Sequence, residues 1–423
     1  MIMLYILLFL GLLLFGTPIY LSMGIPPIVQ YVLEGNLLPP VQIILDKLNS
    51  DTLVAVPYFV VAAYVMERGR IAEILIDAAR VWLGGLYGGV GIVAVAACAV
   101  FAAMCGSSVA TAIAMSTILL PAMAKDRYET GFASGIVATS GTLGILIPPS
   151  LAFVVYGIIA EVSIPRLFLA GMIPGLLQAA LLIGFIYLQG RRRNYINKNS
   201  VPMVDRLRVT GRALPALAIP FIVLGGLYSG ILSLTESAAL AALTALFLSL
   251  FVYKTLGWNQ IFPVTTDAIK SAATILIIIV GAASFGQLIT QSGIANALVD
   301  LVAKAGLSSW QVLLAINVIV LIMGMFLEAY SIILITLPII LPLLTALDID
   351  LIHFGVLFTI NLEIGLITPP VGLNLFVISS VSRTPLGTVI RGTLPFFGLM
   401  LVLLMVITYV PSISLWLPSL WKG

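Results

Sequence analysis

Ser140-Gly-Thr-Leu-Gly144-Ile-Leu-Ile-Pro148-Pro149-Ser150 and, later in the chain, Asn361-Leu-Glu-Ile-Gly365-Leu-Ile-Thr368-Pro369-Pro370-Val-Gly372 decide the fold. Each proline pair lies in the middle of an apolar run, 129–160 in the first case and 352–381 in the second. Proline lacks the N–H that a helix needs and its ring clashes with the preceding turn. Two prolines with glycines close by are expected to unwind both helices. A single site of this kind would be satisfied by a simple kink. Backbone that is not helical at membrane depth has to line a cavity or be buried in protein, because lipid offers no hydrogen bonds. Freed carbonyls suit a small cation, and the helix that resumes after the break points its positive N-terminus at an anion.

The two stretches are copies. At an offset of 221 residues Met104 falls on Met325, Pro121 on Pro342, Gly144 on Gly365, Pro148 on Pro369 and Pro149 on Pro370. With three residues of slip upstream, Gly69 falls on Gly293 and Arg80 on Lys304. The chain therefore reads as a first repeat, 1–190, a basic linker, 191–212, and a second repeat, 213–423.

Composition sets the solvent. Of the 423 residues 61% are hydrophobic and 9% charged, with mean hydropathy +1.19; soluble domains carry about 25% charged residues. The net charge of +3 gives no reason to expect nucleic acid. Cys98 and Cys105 share one helix face in an apolar stretch and read as packing residues. Met1 to Phe15 has no basic leader region and reads as a retained membrane helix.

A crossing needs roughly 20 apolar residues. Candidate spans are 2–15, 17–33, 52–67, 129–160, 166–188, 213–230, 232–253, 268–290, 352–381 and 387–412, with 2–33 readable as two short spans or one long one. Two further runs, 86–122 and 308–345, are too long for one span and are interrupted at Gly106-Ser107-Ser108 and around Glu328-Ala329. They read as hairpins that enter and leave by one face. Basic residues mark the cytoplasmic side, and 189–212 holds Arg191, Arg192, Arg193, Lys198, Arg206, Arg208 and Arg212 against Asp205 alone. That loop is expected inside; the loop with Glu34, Asp46 and Asp51 is expected outside. Each half then has five crossings and one hairpin, so the second half sits inverted in the bilayer. The fold class is an all-α polytopic membrane protein with two inverted-topology repeats, each carrying a re-entrant hairpin and a broken helix. Such inverted repeats with discontinuous helices are a secondary-transporter architecture whose site lies at the repeat interface.

The hairpin tips supply further candidates. Cys105-Gly106-Ser107-Ser108-Val-Ala-Thr111 is small and hydroxyl-rich, fit to bind a carboxylate or complete a cation shell, or simply to pack helices closely. Gly324-Met-Phe-Leu-Glu328-Ala-Tyr-Ser331 places an acid in apolar sequence, which marks a functional candidate. Glu363 and Glu236 are weaker ones; Glu236 also suits a helix cap. His353 sits near a helix start away from the breaks. Stretches 68–82 and 292–305 are amphipathic and suit helices at the membrane surface that connect a moving part to a fixed one. No HExxH motif, Ser/Lys pair or Asp dyad suggests an enzyme.

The run from Cys105-Gly-Ser-Ser108 through Pro121 to Gly144-Ile-Leu-Ile-Pro-Pro-Ser150, together with Gly324-Met-Phe-Leu-Glu328 and Thr368-Pro-Pro-Val-Gly372-Leu-Asn374, resembles the large membrane subunit of tripartite ATP-independent periplasmic (TRAP) transporters, the DctM-like permeases. Here Cys105 stands where the family's first-hairpin motif begins with serine. The resemblance implies a permease of the bacterial inner membrane, driven by sodium ions. It implies an organic acid delivered by a periplasmic DctP-like binding protein, a small DctQ-like membrane subunit that is not fused to this chain, and an elevator motion of a transport domain against a scaffold. It implies sodium ligands at Gly106, Ser107, Gly141, Gly144 and Pro148 in one half and at Gly324, Gly365, Thr368 and Pro370 in the other. Carboxylate substrate would lie near Ser107, Ser108, Ser150, Glu328 and Asn374. An ion-coupled anion carrier of the wider fold, working without a binding protein, is the alternative.

Overall fold

The computed structural model describes residues 2–35, 38–105, 108–196 and 201–421. The tip residues Gly106 and Ser107 therefore lie outside the described residues. The described chain is all-helical. Six helices are long and apolar enough to cross a bilayer, among them Ile164–Arg192, Met203–Tyr228, Trp258–Ser292 and Leu386–Tyr409. A seventh crossing arises if the pair Val41–Leu48 and Asp51–Arg68, bent by 60°, is one span. The chain is a multi-pass membrane protein.

Both proline pairs interrupt their helices. Thr130–Thr142 tightens into a 3-10 turn, Leu143–Ile145, and helix resumes at Leu151–Ala160. Leu351–Leu366 stops before the second pair and resumes at Leu373–Ser382. The Pro148–Pro149 and Pro369–Pro370 bonds are cis. Both expected hairpins are helix pairs, Gly89–Cys105 with Ser108–Lys125 and Ser309–Gly324 with Ala329–Ala346. The amphipathic stretches form Ile71–Leu83 and Ile294–Lys304, and Ile2–Leu14 and Ile19–Leu33 are separate helices.

Equivalent elements of the two halves exchange partners. Leu373–Ser382 packs on Ser108–Lys125, while Leu151–Ala160 packs on Ala329–Ala346. Likewise Thr130–Thr142 packs on Leu386–Tyr409 and Leu351–Leu366 on Ile164–Arg192. The first of these crossings is very close. A Cβ on Gly135 would overlap Gly392 O at 2.2 Å and one on Gly392 would overlap Gly131 O at 1.7 Å, while one on Gly131, a turn before Gly135, would come 3.1 Å from Thr388 O. Small residues at such spacing let membrane helices approach closely, where dispersion rather than hydrophobicity holds them.

The core has two parts. The larger contains the hairpins and broken helices, with Phe101, Phe153, Tyr156, Phe354 and Phe358 fully buried. The smaller joins Asp51–Arg68, Met203–Tyr228 and the helix Leu234–Phe247 through residues such as Val65, Ile219 and Ala241. Asp51–Arg68 also packs on Trp258–Ser292.

Three expectations change. The segment assigned to an external loop forms a helix, Leu38–Leu48, that begins with Pro39 and Pro40; proline is well suited to a first turn, whose N–H groups lack helical partners. The basic linker is shorter than 191–212, because Ile164–Arg192 runs into it and Met203–Tyr228 starts within it. Tyr195 pins the remainder: its carbonyl accepts from Gly88 N at 2.7 Å, its ring stacks on Tyr128 at 4.3 Å, and Arg193 pairs with Glu129. Finally, the last span ends at Tyr409 and a further helix, Ser412–Leu420, follows.

Candidate functional site

The second break closes on the second hairpin through bare backbone. Gly324 and Gly365 touch: a Cβ on Gly324 would come 2.8 Å from Gly365 Cα, and one on Gly365 would come 2.5 Å from Gly324 Cα. Past the prolines, Gly372 turns with φ +55° and donates its N–H to Met325 O at 3.0 Å. Thr368 sits within this junction, its hydroxyl donating to Ile364 O at 2.5 Å and its N–H to Gly365 O at 3.1 Å. Pro370 lies between Thr368 and Gly372 on the same turn. Glu328 is the residue before Ala329–Ala346, partly buried, three residues beyond Met325. Gly324, Gly365 and Gly372 thus meet at one junction, with Thr368 and Pro370 on its turn and Glu328 at the start of the hairpin's second helix.

The first break is held differently. Asn374 leaves the second break at the start of Leu373–Ser382 and reaches the first hairpin, donating its side-chain amide to Ser108 Oγ at 2.8 Å and to Ala138 O at 3.3 Å. Both side chains are buried. Gly141, one turn below Ala138, rests on Ala112 of the hairpin arm, where a Cβ would come 3.3 Å from Ala112 Cβ. Gly144 is buried in the 3-10 turn that leads to Pro148. Ser108 and Asn374 are thus bonded to each other, and Gly141 lies against the same hairpin arm.

Ser150 does not join them. Its hydroxyl donates to Ile145 O at 2.5 Å and accepts from Phe153 N at 3.4 Å, so it caps the resumed helix and spends its hydrogen bonds on its own turn. A serine before a helix start satisfies an N–H that would otherwise lack a partner. Glu236 is likewise a cap, accepting from Ser233 N at 2.8 Å. His353 lies at the start of Leu351–Leu366, with its N–H on Asp350.

Sequence reasoning underrated one cluster. Glu363, fully buried, places Oε2 3.3 Å from Thr142 Oγ1, and Gln178 Nε2 approaches the same oxygen at 3.3 Å. Thr142 and Glu363 lie at the repeat offset, 221 residues apart. Two residues matched by the 221-residue offset are therefore in contact, and that offset was the available signal. Neighbouring hydroxyls of Ser134, Thr139 and Ser140 are buried without a protein partner, as is Asn374 Oδ1.

The chemistry of these walls is one-sided. From Leu86 to Ala124, from Thr130 to Pro165, and from Ser308 to Ser382 there is no Lys or Arg. The interior offers carbonyls, hydroxyls, amides and the N-termini of Leu151–Ala160 and Leu373–Ser382. Such a set fits a hard cation through its oxygens and an anion through helix N-termini. Two cavities flank it at equivalent positions. One of about 450 Å³ is lined by Ser116, Thr117, Pro121, Ser134 and Thr384. The other, about 370 Å³, is lined by Pro338, Pro342, Ile158, Lys47 and Glu161.

Comparison with known proteins follows the same lines. Residues 6–413 match the family described as tripartite ATP-independent periplasmic transporter, DctM component. The C4-dicarboxylate TRAP transporter large permease protein DctM of Pseudomonas aeruginosa is 42% identical over 88% of this chain and 87% of its own length. The isethionate TRAP transporter permease protein DctMQ of Oleidesulfovibrio alaskensis is 35% identical over 95% of this chain and 64% of its own. Among solved structures, the YdaH transporter of Alcanivorax borkumensis superimposes with a TM-score of 0.63 at 15% identity, covering 88% of this chain and 86% of that one, a likeness of fold. With a family match that runs through both hairpins and both interrupted helices, the chain belongs to the TRAP transporter family as its DctM component, the large permease.

Proposed function

We propose that the permease imports a small organic anion together with sodium ions, receiving it from a periplasmic DctP-like binding protein and working beside a small DctQ-like membrane subunit in the bacterial inner membrane. A permease moves its cargo without making or breaking covalent bonds and is not an enzyme. The observation that carries the reading is the paired closure of each hairpin on an interrupted helix, in an interior without Lys or Arg. An anion leaving the approach that Lys47 lines, where that lysine is paired with Glu161, finds no further Lys or Arg at the hairpins and breaks, and a bare charge there is costly. Co-bound sodium, held by break carbonyls and hydroxyls, supplies the missing charge. The ion gradient then supplies the work.

The halves act as inverted repeats with re-entrant hairpins, and 189–212 faces the cytoplasm, as its basic residues require. The part built from hairpins and breaks is the transport domain; the smaller core around Asp51–Arg68 and Met203–Tyr228 belongs to the scaffold. The cavity with Thr117 and Pro121 and the cavity with Pro338 and Pro342 are then the approaches from the two sides, used in turn as the domain rises and falls. The relatives named above transport a C4-dicarboxylate and a sulfonate, which supports a small organic anion as cargo. The fused DctMQ relative supports the small-subunit partnership.

The test is uptake into proteoliposomes holding the permease and small subunit, with the cognate binding protein outside. Uptake is expected only with an inward sodium gradient and only with loaded binding protein. Uptake that persists in choline overturns the coupling ion; uptake of free substrate at the same rate favours the carrier that needs no binding protein.

A further inference from the structure

Thr142, Gln178 and Glu363 come from three helices, the two interrupted ones and Ile164–Arg192, and all three are completely buried. Among the described residues the ion pairs are Lys47–Glu161, Arg68–Asp267, Arg70–Glu73 and Arg193–Glu129, so no cationic side chain is paired with Glu363. Thr142 has two acceptors in reach of its single hydroxyl proton, Thr139 O at 2.8 Å and Glu363 Oε2 at 3.3 Å, and a cation beside the hydroxyl would leave the proton on the nearer one. The hydroxyl's lone pairs would then face Glu363 and Gln178. Glu363 Oε1 and Gln178 Oε1 have no protein partner. The amide of Gln178 can present either end to Thr142, because oxygen and nitrogen are interchangeable by a half-turn of the side chain.

We propose that Thr142, Gln178 and Glu363 form a sodium site on the relation axis between the repeats, distinct from the positions between each hairpin tip and its break. The spacing carries the argument. Glu363 Oε2 and the Gln178 amide each lie 3.3 Å from Thr142 Oγ1. Oxygens around a hard cation of calcium's size sit at about 2.3–2.6 Å, so neighbours at right angles lie about 3.3–3.7 Å apart. The carboxylate supplies the charge that matches the cation, and the hydroxyl and amide oxygens complete one side of its shell. A carboxylate taken wholly out of water without such a partner is strongly unfavourable. Because the ligands come from both interrupted helices, a cation there ties the two breaks together, and its loss lets them separate.

The inference rests on the sodium-coupled reading, and equilibrium binding of radioactive sodium to the purified full-length chain separates the two. The wild type is expected to hold one more sodium ion per chain than Glu363→Gln. Thr142→Val, which keeps shape and the carboxylate, is expected to raise the half-saturating sodium concentration of that ion at least about tenfold. Folding of each variant is checked by its thermal midpoint in choline chloride. If both folded variants bind the wild-type number of ions with wild-type affinity, the axis site is overturned while sodium coupling stands. If Glu363→Gln does not fold, Thr142→Val decides alone. A wild-type chain that binds no sodium overturns both readings.

Discussion

Asn374 and Ser108 occupy positions whose counterparts in the other half, at the repeat offset, are Phe153 and Ala329. At one junction between the halves, Leu373–Ser382 is joined to the hairpin arm Ser108–Lys125 by a hydrogen bond of 2.8 Å between buried polar side chains. At the matching junction, between Leu151–Ala160 and Ala329–Ala346, both counterpart residues are buried members of the apolar core. The closure of the second break adds to the contrast, since Gly324 meets Gly365 with no side chain at all. Positions matched by the 221-residue offset thus share a frame while their contacts differ. A backbone contact and a polar side-chain contact fail in different ways. The first is a matter of volume, the second of hydrogen-bond complement, and substitutions can tell them apart.

The largest effect is expected at the glycine pair. Gly365→Ala puts a Cβ 2.5 Å from Gly324 Cα, and backbone cannot move aside as a flexible side chain can. Overpacking of this kind costs about 1–3 kcal/mol or more, and here it also separates the hairpin from the Gly372–Met325 hydrogen bond. Uptake is expected to vanish and the thermal midpoint to fall. Gly141→Ala, whose nearest neighbour is Ala112 Cβ at 3.3 Å, is expected to keep measurable uptake. Equal loss in both variants would show that the two halves tolerate volume alike.

Next comes the polar link. Asn374→Leu leaves Ser108 and Ala138 without their buried donor, and losing such a partner costs about 1–3 kcal/mol. Uptake is expected to drop at least tenfold, roughly 1.4 kcal/mol of coupling, with a smaller drop for Ser108→Ala, because Asn374 keeps Ala138 O. The counterpart change Ala329→Ser, which adds a hydroxyl where the other half manages without one, is expected to leave uptake within a few-fold of wild type. A large loss there would mean that the apolar junction is as demanding as the polar one.

Much of this frame was legible in the chain because proline and glycine act locally. The pairs Pro148–Pro149 and Pro369–Pro370 interrupt their helices, although Pro26 and Pro27 stay within Ile19–Leu33, and the tips fall where apolar runs exceed one crossing. The helix Leu38–Leu48 escaped notice because Pro39, Pro40, Asp46 and Lys47 have the composition of a loop, and only its packing on Trp258–Ser292 gives its apolar side a place. Asn374 and Ser108 were recognised one at a time, but their bond joins residues 266 apart and depends on the exchange of partners between halves. Gln178 carries no local mark; an isolated glutamine in an apolar helix becomes meaningful only beside Thr142 and Glu363.

Ser150 gives the smallest effect and the sharpest test of what a motif means. By position it belongs with the substrate ligands; by geometry its oxygen is occupied by Ile145 O and Phe153 N. Its counterpart, Val371, has no hydroxyl, and there the chain turns through Gly372 at φ +55°. Each break thus starts its second helix by its own device. Ser150→Ala should cost about 1 kcal/mol of stability, the usual worth of a helix cap. The half-saturating substrate concentration for uptake should stay within about twofold, less than the 1.4 kcal/mol that a tenfold change represents. A ligand role would give the opposite pattern, with an unchanged thermal midpoint and a large rise in that concentration. Ser150→Asp restores a capping oxygen but adds a charge. If the hydroxyl serves only the turn, this variant should recover stability over Ser150→Ala while uptake falls, because the added negative charge sits where an anion is proposed to pass.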